Sequence, residues 1–383
     1  MLSKSKDVVA ILLTGGGARS AYQLGVLKYV FKDLKCLPQS PILLGTSAGA
    51  INTFYLAMNA HKGLDHAIDE LTNFWQTLRV DDIYRTDPWH LVKGVGNFLF
   101  NFTLGRYMRQ RHVESLLDTV PLYLMLRKRI QEDYFHLHHN IESGCVRALG
   151  LSAMQYGSGK TITFFQDWPG ANLQEWKRDR REGIRTRIRL KHVLASAAIP
   201  LIFPSVKLEN AYYGDGSVRM NAPLSAAIAL GATKIFAVNL SRSSAIESKP
   251  ISTYPSISQI WGMMYNTVFL DTLNFDLRIL NRINELVETH PNNPEKLRTV
   301  KALVIKPTQD LGVLALPFKK QIPKTLSFLI QGLGPTDRSS ADFLSYILFT
   351  GNYLRALIDQ GYRDAKEKKE DILKFFTSIP LEK

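Results

Sequence analysis

The sequence predicts an α/β protein in which a mostly parallel central sheet is flanked by helices, followed by a helical C-terminal region. The prediction rests on two strand–loop–helix units that follow one another directly. In the first, the apolar run Val8–Leu13 enters a glycine-rich loop and then the helical pattern of Ala21–Phe31. In the second, Ile42–Leu44 leads into the helical pattern of Ala48–Asn59. Successive units of this kind are typical of parallel sheets covered by helices.

Later segments extend this pattern. Gly157–Lys160 joins two apolar runs, which predicts a β-hairpin. This turn ends like a phosphate-binding loop, but Met154 stands where that motif needs glycine, so we discard nucleotide binding there. Further strands are predicted at Tyr212–Ser217, Lys234–Asn239 and Lys301–Lys306, and further helices at Ala222–Leu230 and Ala341–Phe376.

Two other segments leave alternatives open. Lys177–Lys191 carries eight basic residues, and the alternation that starts at Arg185 predicts an extended segment with one basic face. We favour a solvated sheet edge for it; the alternative is a patch for anionic headgroups. The aromatic run Asn97–Phe102 fits a core segment better than a lid or a membrane-facing loop.

Composition sets the broad class. The chain has 383 residues with 45% apolar content, which is enough for a sizeable core in one large domain or two ordinary ones. The net charge of +14 suggests contact with anionic surfaces. The two cysteines, Cys36 and Cys145, form neither a disulfide framework nor a metal-ligand spacing, so a reducing compartment fits.

The domain boundary is predicted from a serine- and proline-rich stretch, Ser241–Ser258, which resembles a surface linker. We therefore expect an α/β domain over residues 1–250. Residues 251–383 form a helical region that packs on the same domain and contains the strand at 301–306. No internal repeat is visible.

No transmembrane segment is expected. The first apolar run ends in three glycines and an arginine, which indicates a buried strand and not a signal peptide with a cleavage site. The nearly uncharged stretch from Lys35 to Lys62 is long enough to span a bilayer, but polar residues interrupt it.

A candidate nucleophile lies in the second unit. The pentapeptide Gly45-Thr46-Ser47-Ala48-Gly49 follows a strand and precedes a helix. Such a turn exposes the serine hydroxyl near the helix N-terminus, where free amides favour a developing negative charge. The alternative is a tight strand–helix turn that carries an inert serine.

The base is harder to place. After Asp215 the only histidine is His290, in a polar turn-like stretch, so a Ser-His-Asp triad is poorly supported. A dyad of Ser47 and Asp215 is the more economical hypothesis. An ordinary aspartate, with a pKa near ~3.9, is a weak base. Partial burial would raise its basicity, and the Gly15-Gly16-Gly17 amides would hold the developing anion.

These motifs together resemble those of patatin-like phospholipases. The resemblance is carried by Gly15–Arg19, Gly45–Gly49 and Asp215-Gly216, in order and spacing. Ala195–Pro200 with Phe203-Pro204 resembles the family's segment ahead of the aspartate. Leu117–Leu122 and Asp342–Tyr346, with Gly361-Tyr362 and Asp364-Ala365, resemble bacterial members.

The resemblance implies a three-layer α/β/α fold and ester hydrolysis of acyl lipids. By position, Ser47 is the nucleophile, Asp215 the base, and Gly15, Gly16 and Gly17 the oxyanion-hole loop, to which Ala48 adds an amide. Arg19 orders this loop or meets an anionic group. We expect no metal and no cofactor. Phospholipid or lysophospholipid substrates, an anionic membrane surface, a cytoplasmic and peripherally membrane-associated location, and no nucleic acid are the corresponding expectations.

Two departures and several alternatives remain. Ser20 and Ser217 stand where the family usually has smaller residues, and Ser20 would restrict the loop if its site needs a positive φ. An acyltransferase or small-ester esterase would use the same dyad. A lipid-binding scaffold without catalysis is a further alternative. A dinucleotide-binding domain is less favoured, because Gly15-x-Gly17-x-x-Ser20 lacks the third glycine.

Overall fold

In the computed structural model, the described part of the chain comprises residues 7–89, 115–130, 134–219, 223–241, 272–290, 297–324 and 341–377, with isolated positions 96, 254, 256, 259–260, 263–264 and 327. The predicted aromatic run Asn97–Phe102 and nearly all of the predicted linker Ser241–Ser258 lie outside these residues. The predicted boundary at residue 250 falls there too and stays a prediction.

The described residues form ten strands and thirteen helices. The strands are β1 Val9–Leu13, β2 Ile42–Thr46, β3 Ala148–Gln155, β4 Thr161–Asp167, β5 Trp176–Arg178, β6 Arg181–Arg185, β7 Val206–Leu208, β8 Ala211–Asp215, β9 Lys234–Val238 and β10 Lys301–Ile305. The helices are α1 Ala21–Lys28, α2 Ala48–Met58, α3 Leu64–Thr77, α4 Val80–Ile83, α5 Val120–Ile130, α6 Tyr134–Glu142, α7 Leu190–Ser196, α8 Pro223–Ala229, α9 Thr272–Thr289, α10 Leu311–Ala315, α11 Ala341–Ile347, α12 Gly351–Glu367 and α13 Lys369–Phe376.

The strands build one sheet in the order β10-β9-β1-β2-β3-β4-β6-β5. The five strands from β10 to β3 are mutually parallel, whereas β4 pairs antiparallel with β3 as the predicted hairpin. Strands β1, β2 and β9 are buried along their whole length, because apolar clusters cover both faces of the sheet. The predicted α/β fold with a mostly parallel sheet and a helical C-terminal region is therefore confirmed.

One local prediction ends early. The extended segment predicted as far as Lys191 stops at Arg189, and α7 begins at Leu190. The Arg189 amide donates a hydrogen bond to His192 Nδ1, which caps the new helix. The arginines at 185, 187 and 189 are exposed, as a solvated basic face requires.

Strand β3 has an edge that two other strands share. Strand β2 pairs with Ala148–Ser152, and β8 pairs with the next three residues of β3 in the antiparallel sense. Strand β4 pairs with Ala148–Met154 along the other edge of β3. Strand β8 therefore lies on the same edge of β3 as β2. The carboxyl end of β2 therefore runs directly towards the carboxyl end of β8, which is Asp215.

The C-terminal helices pack against the α/β part of the chain. Helix α12 lies on α1 with almost no space between the two backbones. A Cβ atom on Gly25 would lie 1.8 Å from the Ile358 carbonyl oxygen, and one on Gly361 would lie 2.0 Å from the Tyr22 carbonyl oxygen. Glycine is thus required at both positions for the helices to approach this closely.

Among the described residues, no helix is both long enough and apolar enough to cross a lipid bilayer.

We predict that Gly361→Ala lowers the free energy of unfolding by about 1–3 kcal/mol, because the added methyl group forces α1 and α12 apart. This loss exceeds the gain of ~1 kcal/mol in helix propensity that alanine brings. Urea denaturation followed by circular dichroism measures the change. The matched control is Asn352→Ala, at an exposed position of the same helix, which should not lower stability. Equal stability of both variants would contradict the described packing.

Candidate active site

Ser47 lies at the sharp turn between β2 and α2. Its φ of 56° and ψ of −130° lie outside the regions that a side chain normally allows. The turn is held by a hydrogen bond from the Ser47 amide to Ser196 Oγ (3.0 Å), and Ser196 Oγ in turn donates to the Ser152 carbonyl (2.6 Å). Ser196 belongs to the segment ahead of the aspartate, but its supporting role could not be predicted from the sequence.

The two glycines of the pentapeptide allow the bend. A Cβ atom on Gly49 would lie 2.3 Å from the Leu13 carbonyl oxygen, where α2 crosses the end of β1. A Cβ atom on Gly45 would lie 2.5 Å from the Gly49 carbonyl oxygen. Any larger residue would move the turn, which agrees with the expectation from the sequence.

Asp215 ends β8 and is completely buried. The Ser217 amide donates a hydrogen bond to Asp215 Oδ1 (2.8 Å), while Oδ2 has no partner with standard hydrogen-bond geometry among the described residues. Burial raises the pKa of this carboxyl to about 6, although the neighbouring Ser47 hydroxyl and the Ser217 amide both lower it. The structure thus places the Ser47 hydroxyl next to the Asp215 carboxylate, close enough to lower its pKa.

Gly216 is needed because β8 ends against β3. A Cβ atom on Gly216 would lie 2.1 Å from the Ser152 carbonyl oxygen. The Asp-Gly pair therefore lets the chain turn away from β3 immediately after the carboxylate. The same carbonyl accepts the hydrogen bond from Ser196, so Ser152 supports both sides of the site.

The glycine loop passes directly over Ser47. A Cβ atom on Gly15 would lie 2.7 Å from the Ser47 Cβ, and Gly17 adopts a positive φ of 55°. The backbone amides of Gly16, Gly17 and Ala48 make no hydrogen bond to any other part of the chain that the structure describes. Amides left free at helix starts and in glycine turns are suited to hold an anion.

Arg19 is buried behind this loop, with only 3% of its surface exposed. Its Nε donates to Ser345 Oγ (2.6 Å), its Nη2 to Asp342 Oδ1 (2.6 Å), and the guanidinium stacks 4.3 Å from the centre of the Tyr346 ring. Burial alone would lower its pKa, but Tyr346 and Asp342 together raise it above the ordinary value. Of the two roles left open by the sequence, this geometry supports ordering of the loop.

A narrow, uncharged cavity opens beside Ser47, with a volume of about 30 Å³. Its walls come from α2, α3, α5, the segment 197–203 and the C-terminal residues Tyr346 and Phe349. The lining residues are Gly17, Ser47, Ala48, Ile51, Phe74, Trp75, Leu78, Ile83, Leu122, Met125, Leu126, Ala197, Ile199, Phe203, Tyr346 and Phe349. Among the described residues that line the cavity, none carries a charge and none is a histidine.

The two departures from the family pattern have different surroundings. Ser20 has a φ of −65° and a ψ of −11°, which any residue adopts. Its site does not need a positive φ, so the serine does not restrict the loop. Ser217 contacts the site directly, since a Cβ atom on Gly15 would lie 2.2 Å from its hydroxyl oxygen. Within the described residues, the hydroxyls of both serines are buried without a hydrogen-bond partner.

Comparison with known proteins places the chain in a family. The family model described as "Patatin-like phospholipase" matches residues 11–228, which is more than half of the chain. No curated protein matches. Among solved structures, the crystal structure of VipD from Legionella pneumophila is similar over 92% of this chain and 67% of that chain, with 12% sequence identity and a TM-score of 0.32.

We predict that Asp215→Asn stabilises the protein at pH 8. A carboxyl whose pKa is higher in the folded state than in the unfolded state favours folding when protonated, and this advantage is lost as pH rises through about 6. The amide avoids the cost of burying the charge, which is on the order of 3 kcal/mol for a shift of this size.

Urea denaturation at pH 8 and at pH 4.5 measures the difference. The gain should be present at pH 8 and mostly absent at pH 4.5, whereas the exposed control Asp359→Asn should change neither value. A loss of stability at pH 8 would contradict the described burial of the Asp215 charge.

Proposed function

Because the chain belongs to the patatin-like phospholipase family, we propose that it is a lipid acyl hydrolase in which Ser47 and Asp215 form the catalytic dyad. One observation carries the proposal: the Ser47 hydroxyl lies next to a buried carboxylate at the mouth of an uncharged cavity. The apolar lining of the cavity suits the part of an acyl chain next to its ester, and the dyad offers the ester carbonyl a nucleophile.

In the first half of the reaction, Ser47 Oγ attacks the ester carbonyl while Asp215 takes the hydroxyl proton. The carbonyl oxygen becomes an oxyanion, which the free amides of the glycine loop and of Ala48 hold. Each such donor typically contributes about 3 kcal/mol to transition-state stabilisation. Asp215, now protonated, gives its proton to the departing alcohol oxygen, and the acyl group stays on Ser47.

In the second half, water replaces the alcohol. Asp215 takes a proton from the water molecule as it attacks the acyl carbonyl, and the same amides hold the second oxyanion. Collapse of this intermediate breaks the bond to Ser47 Oγ, and the proton returns from Asp215 to the serine. The products are a fatty acid and the alcohol part of the lipid, and no metal ion or cofactor takes part.

The raised pKa of Asp215 suits this role. A carboxylate with a pKa of about 6 is a stronger base than an ordinary aspartate, yet it is still mostly ionised at pH 7. Ionisation of the carboxylate is the state that the mechanism requires. The Ser217 amide supports it by stabilising the negative charge on Oδ1.

We predict that Ser47→Ala and Asp215→Asn each lower fatty acid release from phospholipid and lysophospholipid vesicles by about a thousandfold or more, because each removes an essential partner of one step. Free fatty acid is measured without added calcium. The exposed replacements Ser143→Ala and Asp359→Asn are the matched controls and should retain full activity. Activity that survives Ser47→Ala would overturn the proposed nucleophile.

We predict that kcat/KM for a soluble short-chain ester rises with pH through an apparent pKa of about 6 and is level above pH 7, because Asp215 must be ionised to accept the proton. Initial rates between pH 4.5 and 8 give the profile, and circular dichroism at each pH verifies that the protein is folded. A rate that is independent of pH across this range would exclude Asp215 as the base.

A further inference from the structure

Three hairpin tips lie at the sheet edge where the candidate active site is found. They are residues 156–160 between β3 and β4, residues 177–181 around the β5–β6 turn, and residues 206–212 of the β7–β8 hairpin. We call these three segments the hairpin rim. A hydrogen bond from the Tyr156 amide to the Tyr212 carbonyl (2.9 Å) joins the first and third segments.

Strand register fixes the rim beside Ser47. Thr46, the residue before Ser47, pairs with Ser152, and two positions further along β3 Met154 pairs with Thr161. Thr161 pairs with Arg181, which pairs with Arg178. At about 3.3 Å per residue, Arg178 and Arg181 therefore lie within about 10 Å of the Ser47 level along the strand direction, and the β7–β8 turn projects further in the same direction.

The rim is basic. It carries six basic residues against two acidic ones, Asp179 and Glu209. The side chains of Lys177, Arg178, Arg180 and Lys207 are exposed, so their charges face solvent. Clusters of this sign attract the anionic headgroups of lipid bilayers.

Aromatic and apolar side chains stand among these charges. Tyr212 is 53% exposed and Tyr156 is 40% exposed. Leu201, on the segment that leads into β7, is 61% exposed even though Ile199 and Phe203 on either side of it line the cavity. Exposed tyrosines and leucines next to basic residues are typical of surfaces that enter the headgroup region of a membrane.

The backbone of Leu201 is also unusual, because its φ is 68°. A branched apolar residue rarely occupies the left-handed region, and such outliers concentrate at functional sites. Here the conformation holds an apolar side chain in solvent beside the cavity lining. Packing in the described structure gives no reason for this exposure, whereas contact with lipid would bury the side chain.

We propose that the hairpin rim, together with Leu201, docks on the surface of an anionic lipid bilayer and brings the cavity beside Ser47 to its substrate. The proposal rests on the proposed lipid hydrolysis, which gives docking its purpose, but vesicle binding can be measured without that activity. The rim consists of projecting turns, which fit a flat charged surface better than they fit a small free ligand.

The experiment measures binding of the Ser47→Ala protein to vesicles of phosphatidylcholine with and without phosphatidylglycerol, by co-sedimentation at low salt. In this background we compare the rim triple variant Arg178→Gln, Arg180→Gln and Lys207→Gln with an opposite-edge triple variant, Lys366→Gln, Lys368→Gln and Lys369→Gln. The latter lysines are exposed at the end of α12 and the start of α13, and α13 contacts the start of β9 at the other edge of the sheet. Both triple variants change the net charge equally.

The expected result is binding to the anionic vesicles that the rim triple variant weakens about tenfold or more, while the opposite-edge triple variant changes it little. A second variant, Leu201→Ser, should weaken binding without changing the net charge. Equal binding by both triple variants, or no binding of the parent protein to anionic vesicles, would overturn the proposal.

A soluble short-chain ester separates this proposal from the proposed function. With Ser47 restored, the rim triple variant should hydrolyse the soluble ester at the unaltered rate and hydrolyse anionic vesicles more slowly. An equal loss on both substrates would show that the rim acts on the chemistry and not on docking. If the protein with Ser47 present binds anionic vesicles but hydrolyses no ester, the docking proposal stands and only the proposed function is overturned.

Discussion

The site depends on one constraint, which is that β2 and β8 share a single edge of β3. Each residue of that edge can pair with only one neighbour, so the pairing with β8 starts at Ala153, the residue of β3 that follows the last one paired with β2. Because the two strands run in opposite directions, both of their carboxyl ends meet at this junction. The turn after β2 carries Ser47 and the last residue of β8 is Asp215, so the pairing of the strands itself brings the hydroxyl to the carboxylate. The carbonyl of Ser152, the last residue of β3 to pair with β2, accepts the hydrogen bond from Ser196 that holds the Ser47 turn, and it leaves no room for a side chain at Gly216, the residue after Asp215.

This junction also explains the electrostatics. Asp215 lies at the buried end of β8, where its carboxylate is shielded from solvent. This desolvation disfavours the charged form and raises the pKa. The ionised form is correspondingly costly for the folded state, while the same cost makes Asp215 a stronger base. Stability and the availability of the base are thus linked through one group: as pH rises through about 6, more of Asp215 is ionised and able to accept a proton, while the folded state loses stability. Natural proteins commonly accept such a loss of stability at a functional site.

The region that the family model matches does not contain the whole site. It ends at residue 228, yet Arg19 is held by Asp342, Ser345 and Tyr346 of α11. The carbonyl of Tyr346 also lies where Gly17 would carry a side chain, so α11 sets the position of the glycine loop. Tyr346 and Phe349 complete the cavity wall. The C-terminal helices therefore belong to the site structurally, although the motifs lie far from them in sequence.

The sequence predicts what is local and misses what depends on distant pairing. Strand–turn–helix patterns and glycine spacing are set by neighbouring residues, so the turn at Ser47 and both flanking glycines could be predicted. Asp342 lies 323 residues from Arg19, and although the family resemblance includes the segment Asp342–Tyr346, no local pattern could have paired it with Arg19. The same reasoning applies to Ser20, whose φ depends on how the loop is held by α11 and not on its own neighbours. A motif thus specifies which groups react, while pairings across the whole chain determine whether those groups meet in the geometry that the reaction needs.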